Sequence, residues 1–196
     1  MKSALLAAAE RLVADRGIEA LSLRTIATEV GVSHMAPYAH FKNKTELLKA
    51  VAAAGFNQLG NNLKNIQQKS NQSNELLLLY GVAYIEFATN NPQIYKLMLR
   101  QIHPNQPRTS KSLATEELQP SINETLLREA SNKPYLFLRD CFVNNQSDEK
   151  TINIQTLGAW SLVHGIASLM ISGQISIDKN SSVKQFLATA TQGFTP

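Results

Sequence analysis

Apolar residues recur along this chain at spacings of three and four, and no stretch alternates with the period of a strand. Leu5, Ala8, Ala9, Leu12 and Val13 share one face of a helix expected to start at a Ser3 cap and end at about Arg16, with Gly17 just beyond it. Leu23, Ile26, Ala27 and Val30 make a second, shorter stripe. Gly31 interrupts that stripe where a helix C-terminus favours a residue free to take positive φ. Ser33 offers an N-cap for a further helix over His34–Phe41, with Pro37 as its fourth residue, early enough to lose at most one helical bond. Asn43, with Glu46 three residues on, predicts the start of a long helix over Lys44–Gln68.

The second half continues in helices. Gln67–Asn74 reads as a polar connector. Glu75–Asn90 is apolar almost all round, which predicts a buried helix. Pro92 opens another helix through Arg100. His103–Ser112 reads as a loop, followed by a helix over roughly Glu116–Asn132 and a short one near Pro134–Asn144. Thr151–Ile175 is the expected central helix, and Ser182–Gln192 the last. The fold class is all-α.

Two of these stretches suggest chemistry. Ser22–Phe41 has the turn of a helix-turn-helix, a motif whose second helix can enter a DNA major groove. Ile26, Ala27, Val30, Val32, Pro37 and Phe41 are its expected core. His34, Met35 and Ala39 are the candidates to meet base edges, because base reading needs side chains early on the outer face. Lys42 and Lys44 flank a helix N-terminus, where a phosphate can lie. Thr25 and Ser33 stand on either side of the turn and complete the candidate surface. The second stretch is the central helix, where Gly158, Ser161, Gly165, Ser168 and Ser172 form one narrow stripe of small side chains. Helical glycine costs about 1 kcal/mol against alanine, so two on one stripe predict close packing, read here as a dimer interface.

Composition narrows the choices only slightly. Net charge is +4, and residues 1–50 hold seven Lys/Arg against five Asp/Glu, so charge alone does not argue for DNA. Cys141 is the one cysteine, which excludes an intrachain disulfide and fits a reducing cytoplasm, as does the absence of a signal-peptide pattern. Thr156–Ile175 has no Asp, Glu, Lys or Arg and approaches the ~20 residues that span a bilayer. Gln155, His164, Gln174, the serines and the lack of basic flanks count against that, so no membrane partner is expected. The four histidines show no metal-ligand spacing, and no HExxH, GxSxG, P-loop or GxGxxG occurs; no catalytic residue, metal or cofactor is expected.

Residues 3–56 resemble the N-terminal domain of the TetR family of transcriptional regulators. The matching pieces are "AAERLVADRG", "LRTIATEVGVS" and "PYAHFKNKTELL". Ala159–Gly173, AWSLVHGIASLMISG, resembles the Trp-His-Gly helix of one C-terminal subgroup, and Phe87–Leu99, FATNNPQIYKLML, is similar to another segment of it. The resemblance implies a homeodomain-like domain at 1–50, with the motif at 22–41, and a helical ligand-binding and dimerisation domain at 51–196. It places Arg24, Tyr38, His40 and Lys44 on phosphates, with a structural role for His40 as the alternative. It implies a homodimer on a palindromic operator in double-stranded DNA, most simply a repressor released by an unknown small-molecule effector. Tyr84, Phe87, Tyr95, Met98, Trp160, His164 and Met170 are the pocket candidates, although taken singly each is more readily read as core or interface packing. The competing function is a helical interaction protein whose helix-turn-helix no longer works.

Overall fold

The computed structural model describes residues 1–68, 73–101, 120–143, 147–178 and 181–192. These residues contain eight α-helices and no strand. The chain forms two compact units. One is Met1–Asn57 with Asn91–Asn132, the other Gln58–Asn90 with Lys133–Pro196.

In the first unit, helix α1 (Lys2–Arg16) buries all five residues of its expected stripe. Its start differs from the expectation. Met1, not Ser3, is the cap residue, and the Leu5 amide donates to the Met1 carbonyl at 3.1 Å. Ser3 therefore lies inside the helix, exposed. A 3₁₀ turn, Ile18–Ala20, leads to α2 (Leu23–Val30). Here the cap is side-chain mediated: the Thr25 amide donates to Ser22 Oγ at 2.9 Å. Helix α1 packs on α2 and on α5 (Pro92–Gln101). Leu5, Val13, Leu21, Ile26, Phe41 and Leu47 are shielded from water in this core. Each such side chain contributes about 1.5–3 kcal/mol by burial.

The largest departure from expectation falls between Gly31 and Phe41. No α-helix spans His34–Phe41. A turn at His34 and Met35 leads into a 3₁₀ helix, Ala36–Ala39, and Met35 stands at its N-cap without a side-chain cap bond. Ser33 contributes its carbonyl, not its hydroxyl, accepting from the Ala36 amide at 3.0 Å. Pro37 explains the change. It has no amide to donate, and its ring disfavours the α conformation at Ala36. The segment settles into i to i−3 bonds, Tyr38 to Met35 at 3.1 Å and His40 to Pro37 at 2.9 Å. Asn43 then caps α3 (Lys44–Gln67) as expected, accepting from the Glu46 amide at 3.0 Å.

In the second unit, α4 (Ser73–Asn90) packs against α7 (Glu149–Ile171) and α8 (Val183–Gln192). Pro134 does not separate two helices. It lies inside α6 (Ile122–Asp140), which runs through both units. The proline removes the helical bond to the Ala130 carbonyl, but its ring is buried, and that burial offsets part of the loss. The start expected near Glu116 and the loop His103–Ser112 lie outside the described residues; the described helix is capped by Ser121, which accepts from the Glu124 amide. Helix α7 is shifted from its expected range. Asp148 caps it, and it ends before Ser172 and Gly173. Ser182 and Gln185 cap α8 reciprocally, the Gln185 amide donating to Ser182 Oγ and the Ser182 amide to Gln185 Oε1.

Gly81 sets how closely α4, α7 and α8 meet. A Cβ there would stand 2.5 Å from Leu187 Cδ2 and 3.2 Å from Val163 Cγ1. Leu187 is itself buried and has little room to swing. Gly81→Ala should therefore cost about 1–2 kcal/mol in urea denaturation, the overpacking outweighing the gain in helix propensity. An unchanged or raised midpoint would show that these helices can part without penalty.

Candidate nucleic-acid interface and ligand cavity

The turn after α2 is closed by backbone bonds. Gly31 takes φ 74°, and its amide donates to the carbonyls of Ala27 and Thr28, while the Val32 amide donates to Ala27 O at 2.9 Å. Ala27 and Ile26 are fully buried, and Pro37 and Phe41 are buried beyond the turn; Val30 and Val32 are half-buried. These anchors press one side of the segment into the core and leave the other outside. His34 and Ala39 are exposed, Met35 is 72% exposed and Tyr38 is 51% exposed. Large apolar and aromatic side chains left this open on one short segment form a surface suited to a partner.

The other predicted contact residues surround that surface. Arg24, Ser33 and Lys42 are exposed, whereas Thr25, His40 and Lys44 are half-buried. Thr25 is engaged in the cap of α2, its hydroxyl 2.6 Å from that of Ser22. Arg24, Lys42 and Lys44 form no ion pair among the described residues, so their charge is available to phosphate. The structure adds one cation that the sequence reading missed. Lys2 Nζ sits 5.8 Å from the centre of the Phe41 ring, beside the motif though distant in sequence. Only the fold brings these two residues together.

A polar brace holds the first turns of α3. Lys49 Nζ donates to Glu46 Oε1 at 3.1 Å and to Glu124 Oε2 at 2.9 Å, and Asn123 donates to Glu46 Oε2 at 3.2 Å. Glu46 and Lys49 side chains are only 13% and 14% exposed. Burial pushes the Glu46 carboxyl up, but hydrogen bonds from Ser121, Lys49 and Asn123, with the Lys49 charge, outweigh it and leave the group below its usual value. Burial likewise pushes the Lys49 ammonium down, and its bonds to Glu124 and Glu46 carry it above the usual range. The brace spends the Glu46 carboxylate on α6 and Lys49 instead of on a reciprocal capping box.

The second unit contains a cavity of about 340 Å³ with mainly apolar walls. Tyr80, Gly81 and Tyr84 of α4, Pro134 and Leu138 of α6, Trp160 and Val163 of α7, and Leu187 of α8 all face it. Of the seven pocket candidates, Tyr84 and Trp160 line this cavity, their rings edge to face at 5.4 Å. His164 stands behind the wall, with Nδ1 3.4 Å from the Tyr84 hydroxyl. Phe87 and Met170 belong to the same unit but not to the wall, and Tyr95 and Met98 are buried in the first unit. Aromatic and methionine content alone does not tell cavity wall from core, since both are apolar. Sequence reasoning missed the rest of the wall, Tyr80, Leu138, Val163 and Leu187 among it. Tyr80 is the bulkiest of these. It is 3% exposed, and its hydroxyl is buried without a hydrogen-bond partner among the described residues. Leaving such a group unpaired costs about 1–3 kcal/mol. Burial, with Cys141 and Asp140 nearby, pushes its pKa up to about 12, so it stays protonated. Cys141 is also pushed up by burial, with Asp140 nearby, to about 11.

One unit thus carries a helix-turn-helix with an outward aromatic and cationic surface, and the other an apolar cavity. Comparison with known proteins gives the family. Residues 5–51 match the family described as bacterial regulatory proteins, tetR family, and residues 77–191 match the tetracyclin repressor-like, C-terminal domain. The chain belongs to the TetR family and is a DNA-binding transcriptional regulator. A protein of unknown function from Rhodococcus sp. RHA1 is similar over 98% of this chain and 92% of its own, at 25% identity and TM-score 0.75. A Clostridium perfringens protein described as a fatty acid metabolism regulator is 16% identical, with TM-score 0.65 and coverage of 98% and 99%. AibR, solved with isovaleryl coenzyme A and operator DNA, is 20% identical, with TM-score 0.59 and coverage of 98% and 96%.

The brace on α3 makes a pH-dependent prediction. Glu46, lowered from 4.5, contributes stability that is present above that value and fades as pH falls through the folded-state value. Lys49, raised from 10.5, contributes stability that is present below that value and fades as pH rises through the folded-state value. Lys49→Met leaves two carboxylates facing each other and should cost about 2 kcal/mol at neutral pH. The gap from the parent protein, followed by urea denaturation, should shrink on acidification below pH 4.5 as Glu46 becomes protonated. A gap independent of pH would mean that the brace is packing and not charge.

Proposed function

We propose that this regulator is a homodimeric repressor that leaves a palindromic operator when a small molecule fills the cavity of its second unit. The observation that supports DNA reading most directly is the outward face of the segment after Gly31, with His34, Met35 and Tyr38 open to solvent. His34, Met35 and Ala39 meet base edges, while Arg24, Tyr38, Lys42 and Lys44, joined by Lys2, hold phosphates; His40 and Thr25 sit at the border of that surface. Phosphate contacts set register and carry no sequence information, so the two groups should separate in experiment. His34→Ala should relax sequence preference in a mobility-shift assay against a selected operator. Lys44→Ala should weaken binding to all sequences alike and reduce the salt slope by about one. Unchanged binding in both variants would overturn this division of faces.

The dimer rests on the unpacked side of α7. Gly158, Ser161 and Ser172 are exposed and Gly165 and Ser168 half-buried, flanked by Ile154, Leu157 and Leu169 at 61%, 58% and 38% exposure. Helix α7 is long and apolar enough by composition to cross a membrane. Its buried face, Ile152, Thr156, Val163, Ile166 and Ala167, packs in its own unit, and a second copy covers the remainder. Pairing also supplies two recognition segments for major grooves about 34–36 Å apart. A Cβ at Gly165 meets nothing within 4 Å, so Gly165→Leu spares local packing in the protomer. It should yield monomers in sedimentation, and an intact dimer would remove the stripe from the interface.

That AibR holds an acyl-coenzyme A and operator DNA in one structure supports pairing the two sites here. Effector binding favours a conformation whose two recognition segments no longer match the groove spacing. A reducing cytoplasm is the compartment this reading entails.

A further inference from the structure

The segment after Gly31 is short of the side chains that read bases through paired hydrogen bonds. In the major groove those pairs come from Arg or Lys to guanine and from Asn or Gln to adenine, while Asp or Glu accepts from cytosine. None of these six residue types occurs between Gly31 and Phe41. Arg24, Lys42 and Lys44 lie on either side and are assigned to phosphates. Ser33, His34 and Tyr38 are the exposed side chains of the segment that can form hydrogen bonds.

Met35 is the most exposed large apolar side chain between Gly31 and Phe41, at 72%. Its backbone is held on both sides. The Met35 carbonyl accepts from the Tyr38 amide at 3.1 Å, and the Ala36 amide donates to the Ser33 carbonyl at 3.0 Å. Pro37, two residues on, is buried. The root of the side chain is thus fixed by the fold while its thioether arm stands in water. Methionine has no donor and only a weakly accepting sulfur, so it cannot complete a hydrogen-bonded pair with a base edge. It can cover an apolar group, and its unbranched arm adapts to the shape it meets. The apolar group that the major groove offers is the C5-methyl of thymine.

We infer that Met35 determines sequence preference by packing on the C5-methyl group of a thymine, an apolar contact that stands in for the missing paired hydrogen bonds. This rests on the reading of this face as the base-reading surface. His34, next to it and exposed, adds a directional bond beside the methyl contact.

The test begins with an operator selected from random DNA by the full chain. Each thymine is replaced in turn by deoxyuridine, which keeps the pairing edge and removes only the methyl, and binding is followed by mobility shift. At one thymine of a half-site the parent protein should lose about fourfold in affinity, the worth of one methyl taken out of contact. Met35→Ala should lose nothing further at that position, and Met35→Leu should keep the parent's response. Neither change touches the core, since Met35 is so exposed. If no deoxyuridine weakens the parent, or if every loss persists undiminished in Met35→Ala, the methyl contact is overturned and the base-reading surface is left intact. If Met35→Ala, His34→Ala and Lys44→Ala all bind the operator as the parent does, the surface itself is misplaced and the inference falls with it. A selection that enriches no sequence has the same consequence.

Discussion

Helix α2 ends with its last carbonyls answered by the amides of Gly31 and Val32, and the direction of the chain beyond that point depends on this closure. A residue with a Cβ is strained at φ 74°, so glycine fixes both the place and the angle of the exit. Burial of Pro37 and Phe41 then decides which side of the next ten residues faces water. The motif presents a surface because its other side is nailed into the core, not because the segment is a regular helix. A 3₁₀ turn with outward His34, Met35 and Tyr38 meets the same need over a shorter reach.

Buried polar groups are handled in opposite ways in the two units. In the first, Glu46, Lys49, Asn123 and Glu124 satisfy one another, so partial burial of charge is repaid by bonds with defined partners. That network belongs to the helix whose N-terminus carries Lys44. In the second, the Tyr80 hydroxyl is buried with no hydrogen-bond partner among the described residues, in a unit whose cavity has mainly apolar walls.

Legibility in the sequence followed the range of the forces involved. Stripes such as Leu5, Ala8, Ala9, Leu12 and Val13 announced their helix because burial at a period of 3.6 is written in consecutive residues. Caps were less legible: of those expected at Ser3, Ser33 and Asn43 only Asn43 forms, and the caps at Ser22 and Ser182 were not anticipated, although each is a side-chain oxygen reaching an amide three residues on. Proline was read less well in both directions. Pro37 turned an expected α-helix into a 3₁₀ one, and Pro134 failed to break a helix where its ring is buried. In each case the outcome turned on competition between backbone bonds and tertiary burial, and only the first of these is visible in sequence.

By itself, the sequence determined the all-α class, the turn at Gly31, the core face of the first helices and the residue types available for phosphate and base edges. Those follow from spacing and from backbone preferences that act within a few residues. The tertiary structure alone decided that Lys2 stands over Phe41, that Glu124 answers Lys49, and that Tyr84 and Trp160 share a cavity wall with Tyr80 while Tyr95 and Met98 lie in another core. These pairings join residues far apart along the chain. Nothing in a local pattern distinguishes an aromatic that faces a void from one that faces a neighbour, because burial is the same for both until the helices have packed.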